Sequence, residues 1–391
     1  MSRSLTSRSA DLTRLVEAGY EISIQAGHLV MEHVPYVDEE GHVGYGALVS
    51  ELTLAGDVTT RPNTHVVMFR GRTPCDQYAR PLNRIINGSG HRVLAEGLEI
   101  DHTFSSKPEQ GYGDYYDKMV TYAAMLSGPA QVIAPDSTAR TYRVVESVEG
   151  DSPFHYEDTA SSRAGLGVVS QKLETDRMAI VGLGGTGGFV LDLVAKTPIR
   201  EIHLFDGDRF LQHNAFRAPG AAGIDDLTGG PAKVAYWAGV YDKMRTGVIP
   251  HPYYIDESNI EELVSMDFVF VAIDDGPSRE LIVKALEEAG VSYIDVGMGI
   301  VENDGALSGI IRVSTSTPAH PASGTERLSF GEGGPENEYD RNIQVADLNA
   351  LNAALAVIKW KKLKGFYHDL EGEHFAAYAL SGNNIVNEDR E

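Results

Sequence analysis

The sequence predicts an α/β protein, with a mainly parallel sheet covered by helices and a smaller α+β domain ahead of it. Three observations carry this. From residue 178 onward, short apolar strand-like runs alternate with helix-like stretches. A glycine-rich turn, Gly182 to Gly188, joins the first of those runs to the first helix. Before about residue 155 the pattern differs: β-rich runs are separated by Gly, Pro and Asp/Asn turns. At 391 residues the chain is long enough for two cores, and the patterns divide it into 1–155 and 156–391.

In order, residues 11–24 read as a short helix, and 27–31, 46–54 and 65–69 as strands. Residues 112–126 read as a helix that stops before Gly128-Pro129. The polar stretch 151–164, with Pro153, reads as a linker. Residues 178–181 form a strand entering the glycine turn, and a helix begins at Phe189. The strand 201–205 leads into Asp206-Gly207-Asp208, and 267–273 leads into Asp274-Asp275. A helix over 278–289 and β-like runs 292–296 and 307–313 follow. The segment 344–364 has little polar character in its middle and reads as a helix buried between layers or in a subunit interface. Near-continuous apolar strands alternating with helices imply parallel strands covered on both faces, whose ligands bind at the carboxyl ends.

Composition narrows the function. There are 33 Lys+Arg against 56 Asp+Glu, a net charge of −23, which argues against broad nucleic-acid binding. No apolar run reaches the ~18–20 residues of a membrane span. The polar N-terminal residues lack the apolar stretch of a secretory signal. A single cysteine, Cys75, excludes an intrachain disulfide and any zinc site built from two or more cysteines of one chain. The expectation is a cytoplasmic protein without zinc, nucleic-acid or membrane partners.

The chemistry gathers after the strands. Gly182, Gly184 and Gly187 form a GxGxxG element between a strand and a helix, where glycines let the backbone approach phosphate. It is not a P-loop, because no Gly-Lys-Ser/Thr follows. Asp206 stands 24 positions after Gly182, where an acid accepts hydrogen bonds from ribose hydroxyls. To this point a nicotinamide dinucleotide and ATP fit equally. Asp208, Asn214, Arg217 and Lys233 follow downstream, and Asp274 closes the third strand. Hydride transfer has no use for that set, whereas nucleotidyl transfer needs cations for a triphosphate and an acid for Mg2+.

At these residues the chain resembles the ubiquitin-activating-enzyme superfamily, the ThiF/MoeB/HesA group. The shared elements are GlyLeuGlyGlyThrGly (182–187, including Gly185), Asp206-Gly-Asp208, AsnAlaPheArg (214–217), GlyProAlaLys (230–233), and Asp274 with Arg279. The family usually has Asp-Asn where this chain has Asp274-Asp275. The resemblance implies a Rossmann-like, ThiF-type domain that uses ATP and Mg2+ to adenylate a carboxylate. It assigns the glycine loop to phosphates, Asp206 to ribose, and Asn214, Arg217 and Lys233 to the triphosphate. It assigns Asp274 to Mg2+ and to the attack on the α-phosphate. It further implies a homodimer in which an Arg ahead of the first strand reaches the partner's ATP; Arg163 is the candidate, against a surface cation of the linker.

The CxxC pairs of many relatives are absent, as is any cysteine after residue 156 that would take a thioester. The segment 314–325 and the Gly-rich run to Arg341, where such a cysteine is expected, are polar. Two outcomes stay open: release of the acyl-adenylate, which is favoured, or transfer to a loop hydroxyl or to Cys75. The stretch HisThrPheSerSerLysPro (102–108) with GlyTyrGlyAspTyrTyrAspLys resembles a domain that precedes ThiF-like domains in bacterial systems encoding ubiquitin-like proteins and conjugating-enzyme-like partners. That implies a ubiquitin-like protein as substrate and a recruitment role for the N-terminal domain. A sulfur-carrier protein, a peptide, a small carboxylate and a non-catalytic nucleotide-binding scaffold are the alternatives.

Overall fold

The computed structural model describes residues 5–6, 8–144, 146–147, 152–163, 166–322, 328 and 343–388. It divides into two compact units, Met1–Val145 with Thr159–Gly165, and Glu146–Asp158 with Leu166–Glu391.

The first unit opens with α1 (Ala10–Glu17), shorter than the helix read over 11–24. Gly19 takes φ +88°, and the N–H groups of Gly19 and Tyr20 close back on the Val16 and Leu15 carbonyls. That glycine-dependent cap ends the helix. The chain then forms β1 (Ile22–Gln25), β2 (His28–Val37), β3 (Val43–Glu51), β4 (Val66–Arg70), β5 (Ile86–Ala95) and β6 (Leu98–Ser105). They pair antiparallel in the order β1-β2-β3-β4-β6-β5.

Helix α2 (Tyr115–Ile133) starts at Asp114, whose carboxylate accepts the Asp117 N–H, and runs through Gly128 and Pro129. The expected stop before Gly128-Pro129 is therefore corrected. Leu126 and Ala130 are buried, and burial on both sides of the proline outweighs the hydrogen bond it removes. Cys75 is 1% exposed and packs with Val37 and Ala130, and burial raises its thiol pKa. It is a core filler, ill suited to accept an acyl group. His42 comes together with Asp38 and Glu40, but Arg72 lies 3.3 Å from both carboxylates and already offsets part of their charge.

Lys118 on α2 is fully buried; it donates to Ser50 Oγ at 2.9 Å and has no carboxylate partner among the described residues. Burial lowers its pKa from 10.5 to about 8. Between those values the unfolded chain holds a proton that the folded chain has released, so stability rises with pH through that window. Lys118→Met removes the titration. In denaturant unfolding from pH 8 to 10.5, wild type should gain about 3 kcal/mol relative to Lys118→Met. Parallel stability profiles would refute it.

The second unit holds an eight-stranded sheet. Its strands are β7 (Thr175–Val181), β8 (Ile199–Phe205), β9 (Val248–His251), β10 (Phe268–Val271), β11 (Tyr293–Asn303), β12 (Ala306–Ser316), β13 (Phe375–Ala379) and β14 (Asn384–Glu388). The order is β9-β8-β7-β10-β11-β12-β13-β14, parallel from β9 to β11 and antiparallel thereafter. The mainly parallel α/β sheet and the antiparallel sheet with helices ahead of it are the fold class that the sequence predicts. Segment 152–158, read as linker, joins this unit: Phe154 bridges to Arg245, and Tyr156 to Glu146.

Four helices matter for the site: α3 (Gly185–Val194), α4 (Lys233–Tyr241), α5 (Gly276–Glu288) and α6 (Ala346–Leu363). α6 lies against α3, with Ala353, Ala356, Val357 and Trp360 in one core with Val190, Leu191 and Val194. Trp237 is buried in the same core. No helix among the described residues is long and apolar enough to cross a membrane.

Candidate active site

The parallel register aligns Val181, Phe205, His251, Val271 and Asp295 across five strands. The residues just beyond that line therefore meet at one edge. Strand order reverses at β7, with β8 on one side and β10 on the other, and the crevice opens there. It forms a cavity of about 1130 Å³, open mouth included.

The glycine loop is shaped by close approaches. A Cβ on Gly187 would lie 1.8 Å from the Gly182 carbonyl oxygen, and one on Gly185 would lie 2.0 Å from Asn349 Nδ2. Gly182 takes φ +89° against the Ala272 carbonyl. Gly184 meets nothing within 4 Å, so its side is open. Gly182, Gly184 and Gly185 line the cavity, whereas Gly187 serves the turn behind it.

Asp206, 6% exposed, ties this loop to β8. Its Oδ2 accepts the Leu183 N–H at 2.7 Å, and its Oδ1 accepts the Asp208 N–H at 2.8 Å. Lys233, the first residue of α4, places Nζ 3.3 Å from Asp206 and 2.7 Å from Asp208. Three of the four carboxylate lone pairs of Asp206 are thus engaged, which leaves one at Oδ1 for a ribose hydroxyl. Lys233, with the Tyr254 hydroxyl, holds the Asp208 carboxyl below its ordinary pKa.

Arg217 differs from Lys233. It lines the cavity, its Nε is buried without a hydrogen-bond partner, and it forms no ion pair among the described residues. Asn214 is turned away from the cavity wall: its Oδ1 accepts the Leu211 N–H at 2.9 Å, and its carbonyl accepts the Arg217 N–H. It shapes the turn that carries Arg217. Asp274 is exposed on the cavity wall just beyond β10. Asp275 caps α5 through the Ser278 N–H at 2.9 Å, and its bonds to Ser278 lower its pKa. Arg279, buried, donates to the Ile273 carbonyl and pairs with Asp295 at 3.1 Å, so it braces the turn that bears Asp274. Arg163 ends the short helix Thr159–Arg163 within the first unit's span, and its side chain lies outside the described residues. Residues 323–327 and 329–342, part of the segment that offers the alternative hydroxyl acceptor, lie outside them too.

Three cavity residues were not singled out from the sequence. Asn349 and Asn352 sit one turn apart on α6, both essentially buried. Asn349 accepts from Thr186 Oγ1 at 3.0 Å and donates to the Arg217 carbonyl at 3.2 Å; Asn352 donates to the Gly297 carbonyl at 3.1 Å. Tyr254 stands on the cavity wall with its hydroxyl on Asp208.

An acid-anchored glycine loop and an arginine without an ion pair among the described residues thus line one crevice. The ThiF family model matches residues 160–356, half of the chain, and the chain belongs to that family. Residues 10–159 match a domain of unknown function, DUF6791. Among solved structures, E. coli MccB with MccA-N7isoASN is 20% identical, with 57% of this chain and 66% of that chain covered and a TM-score of 0.45. Selenomethionine PaaA is 18% identical, with 57% and 75% covered and a TM-score of 0.45. The chain thus spans slightly less than two thirds of that MccB chain. No curated protein matches the chain.

Proposed function

We propose that the second unit binds ATP with Mg2+ in this cavity and adenylates the C-terminal carboxylate of a ubiquitin-like protein, the activating step of a bacterial ubiquitin-like conjugation pathway. The observation that carries it is Arg217: a guanidinium with no ion pair among the described residues, lining the same cavity as a glycine loop at a helix N-terminus. Such a wall selects a polyanion.

In the proposed reaction a carboxylate oxygen forms a bond to the α-phosphorus while the bond to the β-phosphate oxygen breaks, releasing pyrophosphate. The carboxylate is already ionised at neutral pH, so the chain supplies placement and charge and no general base. Backbone N–H groups of Gly184 and Gly185 hold phosphate, Asp206 takes a ribose hydroxyl, and Arg217 and Lys233 neutralise the phosphates. Asp274 offers the hard oxygen ligand that Mg2+ prefers, and the ion adds positive charge at the phosphates when bound. A homodimer in which Arg163 reaches the partner's nucleotide, a conjugating-enzyme-like partner, and recruitment by the first unit complete the reading.

Pyrophosphate exchange tests it. Wild type should exchange label into ATP only when the correct carboxylate protein and Mg2+ are present, and Asp274→Ala should bring exchange to background. Absence of exchange with every candidate carboxylate protein would leave a docking scaffold as the better account.

A further inference from the structure

One chain of hydrogen bonds crosses the nucleotide end of the cavity. Tyr254, in the loop after β9, donates its hydroxyl to Asp208 Oδ1. Asp208 Oδ2 holds Lys233 Nζ at 2.7 Å, Lys233 reaches Asp206 at 3.3 Å, and Asp206 holds the Leu183 N–H of the glycine loop. The tyrosine is fitted to this place, because its ring lies against Gly207, where a Cβ would come 2.6 Å from a ring carbon. That close approach explains why a glycine separates the two aspartates.

The chain creates a conflict. Lys233 is only 8% exposed at its side chain, and two carboxylates already share its charge. Two of its three N–H donors are engaged and it is nearly buried, so shifting its charge onto a phosphate loosens its hold on one of the two carboxylates. Asp206 is buried and fixed by two backbone N–H groups, whereas the Asp208 side chain is 52% exposed and is held by Lys233 and Tyr254. Asp208 is therefore the partner that can leave.

We propose that Tyr254 is a positioning residue that acts through Asp208: its hydroxyl keeps Asp208 on Lys233 in the nucleotide-free protein, and nucleotide binding has to pull Lys233 from that grip. The inference rests on the nucleotide-binding reading above. It makes a prediction of unusual sign, since removing a hydrogen bond should strengthen binding.

The test is isothermal calorimetry of MgATP with the full chain. Tyr254→Phe keeps the ring on Gly207 and should bind MgATP about three- to tenfold more tightly than wild type, the scale of one partly exposed bond to a charged group. In an Asp208→Asn background the same substitution should add almost nothing, because the charge it acts through is gone. A merely structural tyrosine predicts unchanged or weaker binding in both backgrounds. Unchanged or weaker binding by Tyr254→Phe, or an equal gain in the Asp208→Asn background, overturns the inference while leaving the nucleotide reading intact. Failure of wild type itself to bind MgATP overturns both. If Asp208→Asn does not fold, the sign of the single Tyr254→Phe change decides.

Discussion

Arg217→Met is expected to lower carboxylate-dependent pyrophosphate exchange at least about a hundredfold while leaving thermal stability nearly unchanged. The two halves of that expectation come from one fact. Arg217 forms no ion pair and its Nε has no partner among the described residues, so removing its side chain strands no protein group. Burying an unpaired cationic donor costs free energy, and an apolar replacement relieves it. In the transition state the same guanidinium faces the charge that builds on the phosphates, where a positioned cation acts at full strength. Lys233→Met should behave differently. It strands Asp206 and Asp208 beside each other, so it should cost stability as well as activity. Exchange assays paired with melting curves separate the cases. Activity of Arg217→Met within threefold of wild type would remove the observation on which the proposed function stands.

The glycine loop and the acids of this site are legible in the sequence for a shared reason: each stands at the end of an apolar strand or at a glycine, whereas Asn214, Arg217 and Lys233 are legible only through the motif they complete. Val181 to Gly182, Phe205 to Asp206 and Val271 to Asp274 are abrupt changes from β-rich hydrophobic residues to turn and acidic residues, and parallel register then sets those ends side by side. What was missed lies inside elements or in isolated loops. Asn349 and Asn352 were swallowed by the apolar reading of α6, although their three-residue spacing puts both on one helix face, toward Thr186 and Gly297. Two amides at that spacing in an otherwise apolar helix are a signal, since each needs a buried partner. Tyr254 had no such signal. Its role depends on the loop after β9 lying over Gly207, and only the fold decides that. Pro129 misled for the opposite reason: a local rule about helix ends was overridden by burial at Leu126 and Ala130.

The largest stability effect should come from a residue outside the cavity. Arg245 is fully buried without a carboxylate partner among the described residues, and burial lowers its pKa to about 10. Its guanidinium donates to the carbonyls of Ala195 at 3.1 Å and Thr197 at 3.2 Å, to that of Ile199, and through Nε to that of Thr246 at 3.0 Å. Ala195 caps α3 and Ile199 begins β8, so one side chain closes the turn between the helix that starts at the glycine loop and the strand that leads into Asp206. The Thr197 carbonyl also accepts the Ile199 N–H at 2.8 Å and Thr246 is exposed, but a buried carbonyl left without any donor costs about 1–3 kcal/mol. Arg245→Met should therefore destabilise this unit by about 3–5 kcal/mol, less than the sum because a charged group is also released from burial. Arg245→Lys should recover little, since one ammonium cannot reproduce a planar fork spread over several carbonyls. Denaturant unfolding of the three proteins measures this directly. A loss below about 1 kcal/mol for Arg245→Met would mean that the turn finds other donors and that the glycine loop is held from α6 through Asn349 instead.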